Sequence, residues 1–297
     1  MNTKNTINKN YLSALSRIFT PSVMDSLALY GQSDYLSEVY SNSGLKNDFD
    51  SSLTLNSFFD YVYSLLNEYY RNEYVYKNAI ANKILLGRHS LRTSKMLTEF
   101  RVGKNKADVV ILNGDSTVYE IKSAYDSFNR LKDQINSYFQ VFDYINVITT
   151  SSQAEKVKAL VPEKTGILVL TEKNTISTIR KAKSNKAHIK PSILFDSLRK
   201  SEYTKIIKAH YGYIPDVPNT KIHKICKKMY CEIPLEALHD LTINTLKQRE
   251  HSPYINQFIE KTPASLSAYA LSISGQKKKM QNLENLLNNK VHSILYS

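Results

Sequence analysis

Residues 107–122, ADVVILNGDSTVYEIK, constrain the fold more than any other stretch of this chain. Two apolar, β-branched runs flank Asn113-Gly114, a strong hairpin signal. Side chains alternate along a strand, so Glu120 and Lys122 project from one face and Tyr119 and Ile121 from the other. Charges on an apolar strand stand where burial is expensive unless they find partners. Opposite residues of an antiparallel pair share a face. If Asp108 stands opposite Glu120, pair numbers sum to 228, Leu112 faces Ser116, and the loop is Asn113-Gly114-Asp115. A two-residue Asn-Gly loop would instead set Asp108 opposite Tyr119 and turn it away. The pattern therefore predicts an odd-length loop or a bulge if the two carboxylates act together.

Around this hairpin the periodicities predict further elements. Helices are expected at 11–19, where Tyr11, Leu12, Leu15 and Ile18 share a side, and at 53–69, with a loop over 42–51. A helix at 72–86 is expected to end at Gly87 in a left-handed cap. Glu73, in its first turn, either favours the positive end of the helix dipole or faces a site. Strands are expected at 97–102, 107–112, 117–122, 144–149 and 166–171. Asp126 is expected to cap a helix whose stripe is Phe128, Leu131, Ile135, Tyr138 and Phe142. Short helical stretches at 152–161, 192–211, 234–249 and 281–295 complete the reading. The fold class is α/β, a mixed sheet in the order α-β-β-β-α-β with helical N- and C-terminal flanks. The boundaries are 1–70, 71–172 and a basic, mainly helical 173–297.

Lys and Arg outnumber Asp and Glu by 40 to 27, a formal charge of +13, which favours polyanionic partners. The run 173–190 holds Lys181, Lys183 and Lys186 and no acidic residue. These lysines are candidate nucleic-acid contacts, although such runs also serve as solvated surface. Two cysteines make no disulfide framework, which suits a reducing cytoplasm. MNTKNTINKN has no apolar core of a secretory signal, and no run is long and apolar enough to span a membrane. His223, Cys226, Cys231 and His239 are zinc-ligand types, but their spacing matches no common structural zinc site.

Asp108 in KADVVIL and Glu120-Ile121-Lys122 in VYEIKS resemble the PD-(D/E)XK nuclease superfamily, with Ala107 in place of the motif's proline. Gln134 and Tyr138 in DQINSY resemble the Gln-x-x-x-Tyr element of its RecB-like branch. The chain is most similar to bacterial stand-alone proteins of this type, often associated with mobile elements. The resemblance implies a restriction-endonuclease-like core. It implies Mg²⁺, replaceable by Mn²⁺, held by Asp108, Glu120, the Ile121 backbone and Glu73. It also implies catalytic roles for Asp108, Glu120, Lys122, Glu73 and Gln134, and nucleic-acid contact by Tyr138. The expected function is a metal-dependent deoxyribonuclease, with RNA as a further substrate, in anti-phage defence or mobile-element biology. The alternatives are a non-cleaving nucleic-acid-binding or assembly subunit, and an effector activated by a partner protein on its helical flanks. Each residue also has a plainer reading. Lys122 and Glu120 suit a surface pair on an edge strand, Asp108 a solvated strand start, and Gln134 a bond to nearby backbone. Tyr138 suits the core, and Glu99 a structural or peripheral place.

Overall fold

The computed structural model describes residues 11–45 and 52–295. Part of the loop expected at 42–51, residues 46–51, lies outside them. The chain forms two compact units. One comprises 1–84, 172–174 and 250–297; the other comprises 85–171 and 175–249.

The first unit is helical: α1 (Leu12–Arg17), α2 (Pro21–Tyr30), α3 (Asp34–Asn42), α4 (Leu55–Tyr69) and α5 (Glu73–Ile80). Its C-terminal part supplies α12 (Ile255–Lys261), α13 (Ser267–Ser272), α14 (Lys277–Leu287) and α15 (Val291–Leu295). The helix expected at 53–69 is realised as α4, with Leu55, Phe58, Phe59, Val62, Leu65 and Leu66 all buried along one side. The end of the next helix differs from expectation. Ala81–Leu86 is π-helical, and Gly87 is absent from the glycines with positive φ. The Asn82 side chain donates to the Asn78 carbonyl at 3.0 Å. The same carbonyl also accepts the Ala81 N–H, so the α-helical pattern is already altered where the wider turn begins.

The second unit is built on a six-stranded mixed sheet in the order β1-β2-β3-β4-β5-β6. The strands are β1 (Lys95–Val102), β2 (Asn105–Leu112), β3 (Ser116–Lys122), β4 (Tyr144–Thr149), β5 (Gly166–Leu170) and β6 (Ile176–Arg180). β1, β2 and β3 pair antiparallel, β3, β4 and β5 parallel, and β5 with β6 antiparallel. The helices are α6 (Leu131–Tyr138), α7 (Ala154–Leu160), α8 (Pro191–Asp196), α9 (Lys200–Tyr211), α10 (Asn219–Glu232) and α11 (Leu235–Lys247). This is the mixed α/β class expected, with its strands close to their expected positions.

Two expectations for this unit need correction. Asp126 caps no helix; its carboxylate accepts from the Ser123 N–H and hydroxyl at 2.8 and 2.6 Å, and α6 starts at Leu131. The basic run after 173 opens with β6 rather than a helix. That strand is short, exposed at its middle three residues and bulged between its pairs at Ile167 and Leu168, as protected sheet edges are.

One face of the sheet carries Val110, Leu112, Val118, Ile145 and Val147 into a large core. Leu131, Ile135 and Tyr138 of α6 join it, with Ile206, Ile222, Tyr230 and Leu246 from the later helices. The charged residues of β2 and β3 lie at the end of this same face.

Candidate functional site: a polar cluster under the central strands

The β2–β3 hairpin has the odd loop that its parity demanded. Val109 pairs with Tyr119, Val110 with Val118, Ile111 with Thr117 and Leu112 with Ser116, each pair summing to 228. Asn113-Gly114-Asp115 forms the loop, with Gly114 at φ +110°, a conformation open to glycine. Carried one step further, the register sets Asp108 opposite Glu120. Here the ladder stops, and the Asp108 carboxylate accepts the Ile121 N–H at 2.7 Å. The side chain replaces a strand carbonyl.

Glu120 and Lys122 are buried, 1% and 7% exposed, so neither is the surface pair of an edge strand. Lys122 Nζ lies 3.0 Å from Glu120 Oε1 and donates to Gln134 Oε1 at 3.1 Å. The Tyr138 hydroxyl lies 2.8 Å from both Glu120 Oε2 and the Lys106 carbonyl, its one proton serving two acceptors. Gln134 and Tyr138 are one helical turn apart, so α6 presents both to β3. Burial raises the Glu120 carboxyl above its ordinary range, opposed by Lys122, Tyr138 and Gln134. Burial, and then the Glu120 charge, raise Tyr138 as well. Tyr138 is fully buried and offers no surface to nucleic acid.

Glu99 faces Asp108 across β1 and β2, between the pairs Thr98–Val109 and Phe100–Ala107. Its φ of +54° is left-handed, and its carboxylate comes within 4.8 Å of that of Asp108. Glu73 belongs to the helical unit, in the first turn of α5, and pairs with Lys77 at 2.6 Å. Lys181 and Lys183 are exposed and follow β6; Lys186 is half-buried. His223, Cys226, Cys231 and His239 do not gather into one ligand set. His223 packs edge-on to Phe195, with ring centroids 5.1 Å apart.

Sequence reasoning missed a second buried polar centre. Asp143, wholly buried, accepts from the Ser116 N–H at 2.6 Å and the Ser116 hydroxyl at 2.8 Å. His239 Nε2, on α11, lies 2.7 Å from the same oxygen. Burial raises the Asp143 carboxyl, but His239 and Ser116 outweigh it and hold it below its ordinary value. Burial lowers His239, and the bond and charge of Asp143 outweigh that to raise it. The available signal was His239 on the helix side that carries Leu235, Leu238 and Leu246.

The sheet-bearing unit is thus a mixed α/β domain with a closed network of charges under one sheet face. The chain belongs to the bacteriophage P4 protein cII family, whose model matches residues 67–273. A relative, Protein cII of Enterobacteria phage P4, is 21% identical over 182 residues, 60% of this chain and 67% of its own length. No solved structure matches. The family match corrects the resemblance drawn from Asp108, Glu120, Lys122, Gln134 and Tyr138. Membership lies with the cII family rather than the PD-(D/E)XK superfamily. The expected deoxyribonuclease activity and the role in phage defence fall with that resemblance. No helix among the described residues is long and apolar enough to cross a membrane.

Proposed function

We propose that this protein is a DNA-binding protein whose sheet-bearing unit holds the phosphate backbone by charge. One observation carries the reading. That unit has 27 Lys and Arg against 15 Asp and Glu, and the helical unit has 13 against 12. All but one of the 13 excess positive charges fall in the sheet-bearing unit. Lysine and arginine near phosphates release condensed counterions, a sequence-independent source of affinity. In this reading the Asp108–Glu120–Lys122 network is structural, joining β2, β3 and α6. Lys181, Lys183 and Lys186 contribute contacts beside β6.

The test is anisotropy of a labelled random-sequence duplex across a salt series. Binding whose log affinity falls linearly with log salt supports the reading, by about 0.9 units of slope per phosphate contacted. No binding at about 50 mM salt overturns it.

Asp108, Glu120 and the Ile121 carbonyl offer the oxygen donors that a hard cation such as Mg²⁺ takes, and Glu120 would join such a site by releasing Lys122 or Tyr138. Bound there, it would neutralise carboxylate charge beside β3. Calorimetry with Mn²⁺ checks this: heat in the wild type that Asp108→Asn abolishes supports it, and no heat in the wild type overturns it.

A further inference from the structure

Helix α10 has two unlike sides. Ile222, Cys226 and Tyr230, successive turns of one side, are buried. Lys221, Lys224 and Lys228 point the opposite way, and all three are exposed. Their neighbours are already engaged: Lys227 pairs with Asp196 at 2.6 Å, and Lys200 donates to Asn219 at 2.7 Å. Lys221, Lys224 and Lys228 make no ion pair with the described residues. Like charges at this spacing repel one another and weaken a helix. A polyanion laid along the stripe would reverse that repulsion.

The adjacent helix extends the basic surface. The bond from Lys200 to Asn219 joins the start of α9 to the start of α10. The Tyr211 hydroxyl donates to the Met229 carbonyl at 2.9 Å, near both ends. The two helices therefore run side by side in the same direction, and α9 adds exposed Lys205 and Lys208. The acidic residues of α9 and α10 are Glu202, paired with Arg249 at 2.6 Å, and exposed Glu232 at the last position of α10, one turn beyond Lys228; Asp216 lies in the connector.

We propose that the Lys221–Lys224–Lys228 side of α10 is a surface that meets double-stranded DNA, lying along one phosphate strand; this rests on the DNA-binding reading above. Seven residues at about 1.5 Å rise span roughly 10 Å. A strand of B-DNA carries one charge per ~3.4 Å of axis, so the stripe faces about three phosphates. A lysine stripe carries point charges and no base-reading groups, so the contact is independent of sequence. An anionic membrane is the weaker fit, because an interfacial helix needs an apolar side to insert. The apolar side of α10 is buried in the core.

The experiment measures duplex affinity against salt for the full chain and two triple variants. One is Lys221→Gln/Lys224→Gln/Lys228→Gln; the other places Arg at all three positions. The Gln variant is expected to lose about 2.7 units of log–log slope, near 0.9 per phosphate, and the Arg variant to keep the wild-type slope. Wild-type binding with an unchanged slope in the Gln variant overturns this inference and leaves the DNA-binding reading standing. A wild type that binds no duplex overturns both. A Gln variant that loses binding to phosphatidylserine vesicles while keeping its duplex slope assigns the stripe to membranes and overturns the inference. Coincident melting curves of the three proteins establish that the fold is shared.

Discussion

His239→Ala should destabilise the sheet-bearing unit more than any surface change, because it strands a buried charge. Asp143 and His239 are 0% and 2% exposed, and one Asp143 oxygen, Oδ1, is buried without a hydrogen-bond partner. Removing one partner of a buried pair costs about 3–5 kcal/mol, since the remaining ion is left uncompensated. For a unit of this size each kcal/mol moves the melting midpoint by about 2–4 °C, so the expected drop is roughly 6–20 °C. The pH dependence has a definite sign. His239 is raised, so its contribution is whole below its ordinary 6.5 and is lost as pH rises through the raised value. Asp143 is lowered, so its contribution is whole above its ordinary 3.8 and is lost as pH falls through the lowered value. The pair therefore stabilises fully between 3.8 and 6.5. Scanning calorimetry of wild type and His239→Ala at about pH 6 and about pH 8.5 reads this directly, and the gap should narrow at the higher pH. Asp143→Asn in the His239→Ala background should recover part of the loss, because the stranded charge is gone. A drop below about 2 °C refutes the reasoning. So does a gap of equal size at both pH values.

Lys122→Met should leave Glu120 buried without its cation, costing about 3 kcal/mol at neutral pH. Burial already raises Glu120, so the carboxyl should protonate as pH falls, and the penalty should shrink in acid melts. Gly166→Ala would set a Cβ 2.1 Å from Asn146 Oδ1 and 2.9 Å from the Ala182 N. It should cost about 1–3 kcal/mol by overpacking, read as a lower urea midpoint; Asn146→Ala should restore only part, because the backbone contact remains.

The sequence made the hairpin legible down to its register, because three constraints met there. Alternation set the faces, Asn113-Gly114 marked the turn, and the shared side of Asp108 and Glu120 fixed the parity. β4 was equally legible as a short apolar run, at the bounds expected, 144–149. β6 escaped because a half-exposed edge strand needs little apolar alternation, so Ile176-Ser-Thr-Ile-Arg180 reads as one more basic stretch. The π-helical turn escaped because apolar periodicity does not separate one wide turn from an α-helical one. The Asp143–His239 pair escaped for another reason. Its members are 96 residues apart, and nothing local ties an aspartate before β4 to a histidine on α11.

The Asp108–Glu120–Lys122–Gln134–Tyr138 constellation shows where such reading ends. Spacing reports residue types and shared faces, and it reported these correctly. It does not report what each group is bonded to, and for Glu120 both oxygens are engaged within the protein. Charges that close on one another under a sheet can hold strands in register as well as act on a ligand. Asp108 makes the structural role concrete. The β2–β3 ladder ends at Val109 and Tyr119, and without that carboxylate the Ile121 N–H would lose its acceptor beside a buried glutamate. An orphaned buried N–H costs about 1–3 kcal/mol, comparable with the loss of a buried methyl group or two. Local ordering of β3 thus gives a physical reason for an aspartate at this position that requires no substrate. It also accounts for how a D…ExK pattern can stand in a chain whose family lies elsewhere.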